Sequence, residues 1–106
     1  MTIRHIVLFK LKSGIEPDDP RVLSAMAMSR SHGKHIDEIQ EWWAGPDVSR
    51  RDISYDFAVE GVFADMDAVA RYAVHAHHQQ GVALWRELAT WVVVDLDERF
   101  AAQETD

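Results

Sequence analysis

Ile3-Arg4-His5-Ile6-Val7-Leu8-Phe9-Lys10-Leu11 alternates without interruption. An extended chain then carries Ile3, His5, Val7, Phe9 and Leu11 on one face and Arg4, Ile6, Leu8 and Lys10 on the other. A period of two predicts a strand. Large apolar residues stand on both faces at its middle, which is the pattern of a sheet covered on two sides.

Downstream, Ser13-Gly14-Ile15-Glu16-Pro17 is a turn-rich break, after which Asp19 can cap a helix with Pro20 in its first position. The pattern predicts a helix over 20–32, with Val22, Leu23, Met26 and Ala27 turned inward and an end near Gly33. A second strand is expected over 38–44, with Ile39 and Trp43 on one side and Trp42 on the other. The charged loop 45–52 leads into a third strand that presents Tyr55, Phe57, Val59, Gly61 and Phe63 on one face. Asp65 is a cap candidate for a helical pattern that runs through Val69 and Tyr72, weakens around the histidines and resumes through Val82, Trp85 and Leu88. Thr90–Leu96, rich in β-branched residues, closes the pattern as a fourth strand before a polar tail.

The order β-α-β-β-α-β predicts an α+β, ferredoxin-like arrangement, a four-stranded antiparallel sheet with its helices on one face. The other face would then be bare, yet it holds Ile6, Leu8 and Val62, with either Val92 and Val94 or Trp91 and Val93. Burying one large aliphatic side chain is worth about 1.5 to 3 kcal/mol, so a face with several should find a cover. A second copy of the chain is the simplest one, and a homodimer is expected.

With 106 residues, 47% of them hydrophobic, the chain suits a single domain, taken as residues 1–98 with a polar C-terminal tail over 99–106. A formal charge of -7 disfavours nucleic acid and anionic membranes as partners. There is no cysteine, which removes disulfides, thiolate metal ligands and thiol nucleophiles. Neither the apolar core of a secretory signal nor an apolar run near the roughly 20 residues of a spanning helix is evident, so a cytoplasmic location is expected.

Tyr72-Ala73-Val74-His75-Ala76-His77-His78-Gln79 holds three of the six histidines. On an unbroken helix Tyr72 and His78 would diverge by roughly 240°. A break near His75–His77 would let both face one cavity. The plainest reading of His5, alone among apolar neighbours, is a core histidine with a satisfied N–H. For His75, His77 and His78 it is a solvated helix junction. Zinc is disfavoured because the His75/His78 pair supplies only two ligands. The plain reading of Trp42, Trp43, Trp85 and Trp91 is core or interface.

The opening strand, Gly45-Pro46-Asp47-Val48-Ser49 followed by Tyr55-Asp56-Phe57-Ala58, the Tyr72–Gln79 segment and the closing Val92-Val93-Val94-Asp95-Leu96 together resemble the stress-responsive alpha/beta-barrel (Dabb) family. The resemblance covers nearly the whole chain and implies a dimeric α+β barrel. Plant members of similar length are polyketide cyclases that need no cofactor. Their pocket histidine of the first strand, second histidine of His-Pro-x-His and preceding tyrosine fall on His5, His78 and Tyr72. Ala76 replaces the family's usual proline, which predicts a softer break, and Leu23, Met26 and Ala27 replace an aromatic pocket wall.

What the resemblance implies is aldol-type acid/base chemistry on a small hydrophobic, polyketide-like carbonyl compound, without cofactor or metal. Histidine titrates near neutrality, so His78 is expected as base, Tyr72 as donor to the developing enolate or as the partner fixing the ring, and His5 as the second proton relay or carbonyl polariser. Two other readings stand beside it, a non-catalytic stress-response or ligand-binding dimer and a cofactor-free monooxygenase, since one fold serves many functions.

Overall fold

The computed structural model describes residues 2–101. The chain runs β1 (Ile3–Leu11), α1 (Pro20–His35), β2 (Glu41–Pro46), β3 (Phe57–Phe63), α2 (Met66–Val74), α3 (Ala76–Arg86), β4 (Ala89–Asp97) and the short α4 (Glu98–Ala101). The sheet order is β2-β3-β1-β4 and every neighbouring pair is antiparallel. This is the ferredoxin-like α+β fold expected from the element order. α1 packs on α3 and β2, α2 on β3, and α3 on β4, so the helices share one face of the sheet.

Ile3, His5, Val7 and Phe9 of β1 are buried on that helix-covered face. One apolar cluster joins Val7, Phe9, Val22, Phe57 and Trp85, and a second joins Ile3, Ile36, Phe63, Val69 and Tyr72, with Trp42 packed against both. The register resolves the alternative left open for β4. Val92 and Val94 pair with Leu8 and Ile6 and lie on the outer face, while Trp91 and Val93 pair with Phe9 and Val7 and lie on the helix side. Leu8, Trp43, Val92, Val94 and Leu96 are exposed, but Val62, also expected on the bare face, is buried.

Several boundaries differ from expectation for local reasons. Asp19 caps α1 by accepting from the Arg21 N–H at 2.9 Å, as predicted, but the helix continues past Gly33 to His35. Gly33 is not a terminator. A Cβ there would sit 2.9 Å from the Trp42 Cβ, so the missing side chain is what lets β2 approach the helix. The inward face of α1 is Val22, Ala25, Met26, Ser29 and His32, whereas Leu23 is 50% exposed and Ala27 is exposed. A search for apolar spacing passes over Ser29 and His32, which are buried because each finds a hydrogen-bond partner.

β2 begins at Glu41 rather than residue 38; Ile39 precedes the strand and packs on the second cluster. Trp42 takes the helix side and Trp43 the outer face. β3 begins at Phe57, two residues after the expected Tyr55. Glu98–Ala101 form the short α4 at the start of the segment expected as a polar tail over 99–106, and 102–106 lie outside the described residues. No helix among the described residues is long and apolar enough to cross a membrane.

Candidate functional site

The site is built on a row across the sheet. Trp42 of β2 pairs with Gly61 of β3, Gly61 with His5 of β1, and His5 with Asp95 of β4. Gly61 is bare for a packing reason, since a Cβ there would lie 2.8 Å from the Trp42 Cε3 and 2.9 Å from the Phe63 Cε1. Next to it, the His5 Nδ1 lies 2.6 Å from the Asp95 Oδ1. A carboxylate only accepts, so Nδ1 carries the proton and Nε2 is left for other partners.

The second half comes from the junction of α2 and α3. The helix breaks completely at His75, whose backbone is extended (φ -62°, ψ 137°). The softer break predicted from Ala76 is therefore corrected. In place of a proline, the His75 imidazole caps α3, its Nδ1 accepting from the His77 N–H at 3.0 Å. The orphaned Ala73 carbonyl at the end of α2 accepts from the His78 Nδ1 at 2.9 Å and the Gln79 Nε2 at 2.6 Å. The junction thereby turns Tyr72 and His78 to one side, their rings 4.2 Å apart, with Tyr72 5.5 Å from His5.

All three predicted residues line one cavity of about 200 Å³, which members of both apolar clusters wall. Val93 is on that wall yet 52% exposed, so the cavity opens along β4. The expected wall of Leu23, Met26 and Ala27 is absent; α1 contributes Ser29 and His32, and the aromatic wall is Phe9, Trp42, Trp85 and Trp91.

Burial sets the protonation states. It pushes the His78 imidazole below its ordinary value; the bond to Ala73 opposes this, and the nearby His5 and His75 add to the lowering. His78 is then neutral at pH 7, with its proton on Nδ1 and a bare Nε2. Burial, followed by the negative charge of Asp95, raises the Tyr72 phenol, which keeps its proton. No polar atom of a described side chain is fully enclosed without a partner, and the Tyr72 hydroxyl makes no hydrogen bond among the described residues. The hydroxyl therefore reaches the cavity.

Sequence reasoning missed two members. Asp95 has no local signal beyond its place in a strand pattern; its position opposite His5 follows from the β1–β4 register. His32 falls at the end of the expected helix, yet it is 2% exposed, lines the cavity, and has its Nδ1 2.8 Å from the His77 Nδ1. A spacing of ten residues from Val22, close to three helical turns, would have placed it on the buried face. His75 is a cap, and His77 stacks on His35 at 4.4 Å outside the cavity wall. Among the described residues no three histidine, cysteine, aspartate or glutamate side chains are placed to hold a metal ion.

A ferredoxin-like domain with a histidine-lined hollow between sheet and helices defines the class. Residues 3–98 match the family described as the stress responsive A/B barrel domain, Dabb, and the chain belongs to that family. It is similar to an uncharacterised protein of Streptomyces coelicolor, 47% identical over 95 residues that cover 90% of this chain and 98% of that one. It also resembles a dimeric ferredoxin-like protein of unknown function from Thermobifida fusca, at 27% identity and TM-score 0.79, with 91% and 90% of the two chains covered. The hydroxynitrile lyase of Passiflora edulis has the same fold at 18% identity and TM-score 0.73, with 90% and 91% covered.

Proposed function

We propose that the cavity is a cofactor-independent acid/base site that removes a proton from carbon beside a carbonyl, as an aldol-type ring closure requires, on a small and largely apolar compound. The observation that carries this reading is that His5, Tyr72 and His78 border the same hollow with both Nδ1 protons engaged elsewhere. The bare Nε2 of His78 is the base. Tyr72 donates a hydrogen bond to the enolate oxygen, and the proton taken by His78 returns to the alkoxide formed on ring closure, with the Nε2 of His5, whose Nδ1 proton Asp95 holds, as the second relay. The remaining wall is aliphatic and aromatic, and the volume lies below the ~300–1,000 Å³ of sites for drug-sized ligands. A polyketide-like substrate longer than the hollow would extend past Val93.

The working unit is a homodimer formed through the outer sheet face, where Leu8, Val92 and Val94 stand exposed side by side. That relatives of this fold are described as dimeric supports it.

The reading is tested without knowing the natural substrate by following deuterium entry beside the carbonyl of phenylacetone in D2O by NMR. The protein should accelerate exchange, and His78→Gln should reduce it at least about a hundredfold while the protein stays folded. Exchange at the background rate with the ketone bound would leave a ligand-binding protein, and equal rates in both proteins would remove His78 from the chemistry. A second reading, cofactor-free oxygenation of a phenol, draws on Trp42, Trp85 and Trp91 in the cavity wall and predicts oxygen uptake.

A further inference from the structure

His32 and His77 take no part in the chemistry above, yet their geometry is unusual. His32 is buried on α1 and lines the cavity; His77, on the first turn of α3, is half-exposed. Their Nδ1 atoms are 2.8 Å apart, so one ring donates and the other accepts. The His32 Nε2 has no partner among the described residues, and no side-chain polar atom there is both fully enclosed and unpartnered. That nitrogen therefore touches the cavity, where the rings of His32 and His78 are 5.6 Å apart. Gly81 reflects the same arrangement. A Cβ at that position would lie 2.8 Å from the His32 Nε2, so the mid-helix glycine, worth about 1 kcal/mol less than alanine in a helix, leaves room for the ring.

We propose that His32 and His77 form a proton relay between the cavity and solvent, serving the acid/base site assigned above and resting on that assignment. A proton released by His78 crosses a cavity water to the His32 Nε2. The His32 Nδ1 proton then passes to the His77 Nδ1, and His77 releases its own Nε2 proton outward. Both tautomers are now reversed. An inward transfer through the same atoms resets them, which suits a reaction that takes a proton and later returns one. Ser29, Tyr72, His78 and His32 give the bridging water enough polar partners. Burial holds the His32 imidazole down to about 4, so it relays as a neutral ring. The groups that surround the pair are the imidazoles of His35, stacked on His77, and of His75 and His78.

The relay acts through His78, so its test needs a readout that a structural role would not move. In the phenylacetone assay, His77→Ala should slow deuterium entry at least about tenfold, and imidazole buffer at fixed pH and ionic strength should restore it, while the unchanged protein ignores the buffer. A variant that exchanges at the original rate, or a loss that imidazole does not repair, overturns the relay. His77→Gln, which keeps a hydrogen-bonding group toward His32, should behave like alanine and guards against a folding artefact. Should the intact protein exchange no ketone proton at all, the acid/base reading fails by itself. The relay is then judged by the lifetime of the His32 ring N–H against solvent, in nitrogen-15 spectra without ligand. It should lengthen at least about tenfold in His77→Ala, and equal lifetimes overturn it.

Discussion

His5 and Asp95 stand directly opposite each other on adjacent strands, and their side chains meet at 2.6 Å inside the helix-covered face. A carboxylate in this position fixes the imidazole tautomer and the orientation of the ring. It also acts at a distance, because its charge is the second cause of the raised Tyr72 phenol. Asp95→Asn should therefore lower turnover about tenfold, the loss of one charge-assisted hydrogen bond. In a Tyr55→Phe background, ultraviolet titration should show Tyr72 ionising at lower pH in the Asn variant. A Tyr72 titration that does not move would separate Asp95 from the site.

The pH dependence of turnover should carry the mark of a buried base. His78 acts when neutral, and its folded value lies below the ordinary 6.5. As pH falls, activity should hold through 6.5 and decline only when the depressed value is crossed. A rate profile against pH checks this; an acid limb centred at or above 6.5 would contradict it.

Stability should depend on pH through His32. Its folded value of about 4 lies below the ordinary 6.5, so the unfolded chain binds more protons between those limits. Stability is full above 6.5 and falls as pH drops toward 4, where the folded protein is protonated as well. The His32 share is on the order of 2 to 3 kcal/mol over that window. Urea denaturation at several pH values should show a shallower fall for His32→Gln than for the original protein. Parallel curves would mean that the ring is not held neutral.

The outer sheet face should hold two copies together. Glutamate at both Val92 and Val94 would place charges among the exposed apolar residues of that face, and light scattering should report a monomer. Leu23→Glu, on the exposed side of α1, should leave the mass unchanged. A dimer that survives the double substitution would place the interface elsewhere.

The fold was legible because β1 states its two faces in a strict alternation and because Asp19, Pro20 and Asp65 mark helix starts by local chemistry. Those signals lie in short stretches of sequence. Residues buried through partners far along the chain were harder to find. Nothing local to Ser29 announces the Trp85 indole N–H that meets its hydroxyl, and His32 needs His77, 45 positions away. Gly33 was misjudged for the same reason, since the residue that requires it is Trp42 on another element. For the cavity, His5, Tyr72 and His78 could be named through a family resemblance, whereas Asp95 required a strand register that periodicity alone does not give.

His5 and His78 border one hollow, with their Nδ1 protons held by Asp95 and the Ala73 carbonyl and their Nε2 atoms left for a ligand. The most direct measurement is a nitrogen-15 histidine spectrum at neutral pH, recorded with and without phenylacetone. Nδ1 should be protonated on both rings, Nε2 of His78 should be bare, and both Nε2 signals should move together when the ketone enters. A proton found on the His78 Nε2, or a ketone that moves only one of the two rings, would contradict the account.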